Sequence, residues 1–125
     1  MCRVDRDLSS SDHGIRLRRV RRMDWTPTRE QVDAGLSDVD WYIREAWVER
    51  VDWIPTSEQV EMGLKDINIY VRVAWAKRTD FAPTQAQVEA GLNDTSSSVR
   101  DAWMERLEME SSRLLEDAHE LDASL

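Results

Sequence analysis

Two histidines, one cysteine and 25 carboxylates are the groups in this 125-residue chain that most readily carry out chemistry. His13 and His119 stand at opposite ends, without the His-x-x-x-His spacing that sets two imidazoles on one helix face to hold a metal. The lone Cys2 excludes an internal disulfide and a multi-cysteine metal site, and no neighbouring group marks it as an activated thiolate. The four glycines are scattered singly, so no glycine-rich loop is present to cradle a phosphate. Carboxylate pairs such as Glu45 and Glu49 are what any charged helix surface offers. These residues point away from an enzyme, and they call for no cofactor and no metal.

A second kind of chemistry is charge. Arg16, Arg18, Arg19, Arg21 and Arg22 form a cluster that could neutralise the phosphates of a nucleic acid. The rest of the chain opposes that use. Residues 1–23 carry a net +4, residues 24–106 a net −7 and residues 107–125 a net −5, within a total of −8. Salt bridges from the basic head to the acidic body are the expected role of the cluster. The reverse possibility is that carboxylates such as Glu45, Glu49, Asp101 and Glu105 imitate a phosphate backbone and occupy a nucleic-acid-binding protein.

With 41% apolar and 34% charged residues the composition is that of a folded, soluble chain rather than a disordered one. No apolar run approaches the roughly 20 residues that span a bilayer, so no membrane partner is expected. The N-terminus lacks the apolar stretch of a secretory signal, and Asp5, Asp7 and Asp12 argue against an organelle-targeting peptide. A cytoplasmic location is expected.

The elements that must position these groups are written three times. "DWTPTREQVDAGLSD" at 24–38 returns as "DWIPTSEQVEMGLKD" at 52–66 and "DFAPTQAQVEAGLND" at 80–94. A fixed period of this length is the mark of stacked helical or sheet units. In each copy a Thr can cap a short helix while a Gln three residues on completes a capping box: Thr28 with Gln31, Thr56 with Gln59, Thr84 with Gln87. Gly35, Gly63 and Gly91 close that helix, permitting either a left-handed turn or a close backbone contact. A second helix follows, from about Asp38–Asp40 to Val51 in the first copy. Its buried stripe is Ile43, Ala46 and Trp47, matched by Val71, Ala74 and Trp75 and by Val99, Ala102 and Trp103. Helix pairs this short cannot bury their own faces and must stack. Trp25, Trp53 and Phe81, each two residues before a Pro, are expected to wedge between units.

The predicted fold is all-α: a right-handed α-solenoid of three 28-residue helical-hairpin repeats, at 24–51, 52–79 and 80–106. Residues 1–23 form a basic segment with a degraded repeat acting as a cap, in which Arg19 stands at the Trp position. Residues 107–125 form an acidic C-terminal capping helix, with Leu107, Leu114, Leu115, Ala118, Leu121 and Leu125 expected to cover the last open face.

Asp38 and Arg44, Asp66 and Arg72, and Asp94 and Arg100 keep a spacing of six, with an apolar residue before each Arg. With the Pro near the start of the first helix, this pattern resembles HEAT repeats and related bacterial short helical repeats, including the leucine-rich-repeat variant. The resemblance covers residues 24–106. It implies that these Asp and Arg residues form a ladder tying neighbouring units together, and that second helices line a concave surface where partners sit. The 28-residue unit and its very short first helix depart from the HEAT pattern.

Positions that differ between copies are free to do something other than build the unit. Opposite the buried stripe, the helical wheel places Trp41, Glu45 and Val48 on one ridge, then Ile69, Val73 and Ala76, then Ser97, Asp101 and Met104. Tyr42 and Tyr70 flank this apolar band. Such a face on a solvent side marks an interaction surface. The expected function is a non-catalytic interaction module, binding a protein partner or a second copy through Trp41, Tyr42, Glu45, Val48, Ile69, Tyr70, Val73 and Met104.

Overall fold

The structure, a computed structural model, describes residues 3–123, with side chains except at position 114 and beyond 115. Cys2 and the side chains of Leu114, Ala118, His119, Leu121 and Leu125 therefore lie outside the described residues. Regular structure among the described residues is entirely helical: α1 (Arg3–Leu8), α2 (His13–Arg21), α3 (Arg29–Leu36), α4 (Trp41–Glu49), α5 (Ser57–Leu64), α6 (Ile69–Lys77), α7 (Gln85–Leu92) and α8 (Ser97–Ala123). No described helix is long and apolar enough to cross a membrane.

Each copy of the repeated phrase starts its first helix in the same way. The hydroxyls of Thr28, Thr56 and Thr84 accept the backbone N–H of Gln31, Gln59 and Gln87 at 3.2, 3.1 and 3.1 Å, while each Gln Oε1 accepts the Thr N–H at 2.9 Å. This satisfies two otherwise orphaned donors per helix and is worth about 1 kcal/mol. The helix stops after eight residues. Gly35, Gly63 and Gly91 near its end are not left-handed, since no glycine has positive φ among the described residues. They admit close contact instead: a Cβ there would lie 2.1, 2.0 and 2.2 Å from the indole Nε1 of Trp47, Trp75 and Trp103.

Those three Trp are the centre of each pair, and each is almost wholly buried. Around them the expected stripe closes, with Ile43, Ala46, Val71, Val99 and Ala102 buried and Ala74 packed at the edge. First helix packs on second as α3 on α4, α5 on α6 and α7 on α8, and α2, α4, α6 and α8 pack side by side. The aromatic before each Pro lies between neighbouring pairs. Trp25 meets Trp47 edge-on at 5.9 Å, Trp53 meets Trp75 at 6.1 Å, and Phe81 meets Trp75 at 6.3 Å. The indole N–H of Trp25 donates to the Arg19 carbonyl and that of Trp53 to the Trp47 carbonyl.

The N-terminal pair, α1 and α2, keeps this geometry with different chemistry. Arg19 takes the Trp position, and Asp7 stands where the other pairs have Gly. The two are joined by hydrogen bonds of 2.9 and 2.7 Å, with Arg19 buried. An ion pair thus replaces an indole laid on a bare backbone.

At the C-terminal end the sequence allowed either a helix continuing from the third repeat or one restarting after Met109, and the structure has the first. No break separates 106 from 107: α8 runs as one 27-residue helix. Met109 and Leu115 remain exposed on it. A continuous helix carries its later turns away along its own axis, so residues 107–115 do not fold back over the third pair.

Candidate interaction surface

Recurrent charged residues join consecutive pairs. Arg16, Arg44 and Arg72 each bind the Asp 22 residues ahead, Asp38, Asp66 and Asp94, with guanidinium–carboxylate distances of 3.0, 2.9 and 3.0 Å. Each also donates Nη1 to a carbonyl six residues back, at Ser10, Asp38 and Asp66. Burial works against the Asp94 carboxylate, yet the Arg72 hydrogen bond, the Ser96 N–H and the arginine charges hold its pKa below the ordinary value.

A second ladder was not read from the sequence as a joint. Arg50, Arg78 and Arg106 are buried. Arg50 donates to the carbonyls of Val20 and Arg22 at the end of α2 and of Trp25 in the loop before α3, and Arg78 donates likewise to Val48, Arg50 and Trp53. Arg106 repeats the pattern on Ala76, Arg78 and Phe81. Each guanidinium also lies over the wedge aromatic, at 4.2 Å from Trp25, 3.9 Å from Trp53 and 4.3 Å from Phe81. The 28-residue spacing of these arginines was the available signal, but a lone Arg at a helix end is ordinarily a surface residue. A third tie is Gln31 to Asp5, Gln59 to Asp33 and Gln87 to Glu61, at 2.6, 2.5 and 2.7 Å.

The N-terminal arginines are largely spent on such contacts. Arg16 binds Asp38 and Asp40, Arg19 binds Asp7, and Arg22 binds Asp24. Only Arg18 and Arg21 of the cluster are exposed with no ion pair among the described residues. This leaves little free charge for phosphates.

The side chains that differ between copies form a face on α4 and α6. Trp41 and Tyr70 stack across the two helices with centroids 5.2 Å apart and planes 26° from parallel. Tyr42 sets its edge against Trp41 at 5.5 Å, and His13 of α2 packs edge-on against Tyr42 at 5.6 Å. The stack stays open to solvent, with Trp41 37% and Tyr70 55% exposed. Ile69 is equally open, Val73 is half-buried, and the loops leading into α4 and α6 add Val39 and Ile67, both almost fully exposed. Those two loop residues lie outside the helical wheel, which is why periodicity did not find them.

Beside the aromatics is a cleft of about 410 Å³ lined by Glu45, Glu49, Val51, Tyr70, Val73 and Lys77, among others. Partial burial and the adjacent Glu49 charge push the Glu45 carboxyl above its ordinary pKa. Burial and the nearby Asp40 likewise raise the Tyr42 phenol. Arg21 and Lys77 offset the shift at Glu45 only in part, so the site is aromatic with two acids and the Lys77 cation at its edge.

Two expected members are not part of the exposed stack, although Val48 lines the floor of the cleft. Val48 is 1% exposed, and its counterpart Ala76 is fully buried, because this side of the second helix meets the next pair. Burying a Val in this way contributes about 1.5–3 kcal/mol, so Val48 is core rather than a contact for a partner. Met104 occupies the same position on α8 and is 51% exposed, with no further helix pair packed on it among the described residues. It is separate from the Trp41–Tyr70 stack. Three other hollows, one at each joint between consecutive pairs, are lined in part by the recurrent Arg, Asp, Gly and Trp residues and reflect packing rather than a ligand site.

No family model matches the chain, and no curated protein or solved structure matches it significantly.

Proposed function

We propose that this chain is a non-catalytic protein-interaction module: a right-handed α-solenoid, built from three HEAT-like helical-hairpin repeats, that offers the α4–α6 face to a protein partner. The observation that carries the reading is the solvent-open Trp41–Tyr70 stack with Tyr42 and Ile69 beside it. Aromatic groups dominate binding energies at interfaces, and a fold has no need to hold two stacked rings in water. The equivalent third-copy positions, Ser97 and Ser98, are polar, so the feature is not a requirement of the repeat.

The edge of the face defines the partner's chemistry. Glu45 and Glu49 repel one another, and the neighbouring rings present π-faces. Both features favour a Lys or Arg whose aliphatic stem lies on the aromatics while its charge reaches the carboxylates. A partner segment with an apolar residue next to a basic one fits. Affinity capture with immobilised parent, Trp41→Ala and Glu45→Gln proteins tests this. The expected result is one partner held by the parent, weakened by about 2 kcal/mol or more in Trp41→Ala and made less salt-sensitive in Glu45→Gln. Equal retention by all three would remove the face from the function.

A further inference from the structure

The joint between helix pairs has two halves, and the chain builds it three times. The leading half carries an Arg, an acid on the first helix and a small apolar residue: Arg44, Asp33 and Val48, then Arg72, Glu61 and Ala76. The following half supplies an Asp, a Gln and the next second helix. At the C-terminal end the leading half is present and unmatched. Arg100 makes its usual bond to the Asp94 carbonyl at 2.6 Å but meets no carboxylate in an ion pair among the described residues. Glu89 receives only Gln85 of its own helix, where Asp33 and Glu61 receive a Gln from the next pair. Met104 is exposed where Val48 and Ala76 are covered.

The N-terminal pair presents the other half, with its charge shifted to suit. Arg3 stands in the register of Gln31, Gln59 and Gln87, and is exposed without an ion pair among the described residues. It replaces an amide donor with a cation in the position that meets the acid at the inner joints. Ser10 stands in the register of Asp38, Asp66 and Asp94, and the acid lies two residues on at Asp12, in the register of Asp40, which Arg16 reaches at 2.6 Å. One Asp12 oxygen caps α2 through Gly14 and Ile15, which leaves the second for a guanidinium. Half-buried Ile15 is in the register of Ile43 and Val71. Arg22, about half exposed, stands in the register of the buried Arg50, Arg78 and Arg106. At that level of the opposite end α8 runs on and offers exposed Glu108, beside the Glu110 that Arg106 already holds at 3.3 Å.

We infer that a second copy of this chain docks head-to-tail, its α1–α2 pair seated on the α7–α8 pair of the first, with Arg3 on Glu89 and Asp12 on Arg100. The contact uses different patches on the two copies, so it is heterologous and does not stop at a dimer unless the rotation closes a ring. Opposite charge at the two ends brings the copies together in this orientation.

Sedimentation equilibrium from micromolar to near-millimolar protein, at low and high salt, tests the inference. The expected result is a mass that rises with concentration past that of a dimer and falls with added salt. Arg3→Glu and Glu89→Arg each place like charges across the joint and weaken association severalfold, while the double variant exchanges the charges and restores it. Positions 3 and 89 are exposed, and circular dichroism confirms unchanged helicity. Trp41→Ala leaves the association intact, which separates this contact from the α4–α6 face. A parent that stays monomeric, or association that the single charge reversals do not alter, overturns the inference.

Discussion

Glu45 is where the proposed surface works against the fold. Partial burial and the Glu49 charge both disfavour its carboxylate, so the folded chain holds that proton more tightly than the unfolded chain does. Between the unfolded pKa and the raised folded one the native state binds more protons, and stability falls as pH rises through that window. Glu45→Gln is therefore expected to raise Tm at neutral pH and leave it unchanged well below the carboxylate range, checked by thermal unfolding at the two pH values. A partner cation placed between Glu45 and Glu49 reverses the sign, so binding strengthens as Glu45 ionises. Asp52 behaves oppositely: the Arg50 hydrogen bond, against some burial, lowers its pKa. Its contribution is present above the ordinary carboxylate pKa and is lost as pH falls through the depressed one.

Within each helix pair, the fit of indole on glycine decides stability. Gly63→Ala places a Cβ about 2.0 Å from the Trp75 Nε1, and the buried ring has no room to withdraw. The helix propensity gained from Ala, up to about 1 kcal/mol, is outweighed by overpacking. A net loss of about 1–3 kcal/mol is expected from denaturant unfolding. Gly14→Ala is the control, since its nearest neighbour is the Asp12 carboxylate at 3.1 Å.

The same scale separates what the sequence told from what it withheld. Capping boxes, the Ile43–Trp47 stripe and the Asp–Arg spacing were legible because each is a local rule repeated three times. Glycine at 35, 63 and 91 was legible only as a choice between two uses, because the deciding contact comes from a Trp 12 residues away. Val48 was misplaced because a helical wheel assumes one buried stripe, whereas a helix with neighbours on both sides buries a wider arc. The Trp41–Tyr70 stack was found as two separate candidates, and only the pairing of α4 with α6 brings them together. Continuity of α8 past 106 was one of two readings the sequence allowed, and the absence of Pro and Gly from 97–123 is consistent with it.

Across the whole molecule, the joints between consecutive helix pairs are matched, and the α1–α2 and α7–α8 pairs carry the halves inferred to meet a second copy. Arginine carries much of these joints, by way of Arg44 and Arg72 to carboxylates and Arg50, Arg78 and Arg106 to carbonyls. Its planar fork suits both acceptors, and the aromatic wedge beneath gives the buried charge a polarisable floor. With the frame held this way, the aromatic face is free to be a surface. Trp47, Trp75 and Trp103 build the pairs, and Trp41 is the one proposed to bind. The direct measurement is the unfolding free energy of Trp41→Ala beside Trp75→Ala, by denaturant titration against the parent. Trp75→Ala is expected to lose about 3–5 kcal/mol, and Trp41→Ala only about 1 kcal/mol from the lost stack on Tyr70. Equal losses would mean that Trp41 and Tyr70 hold the fold together, and would contradict the assignment of their face to binding.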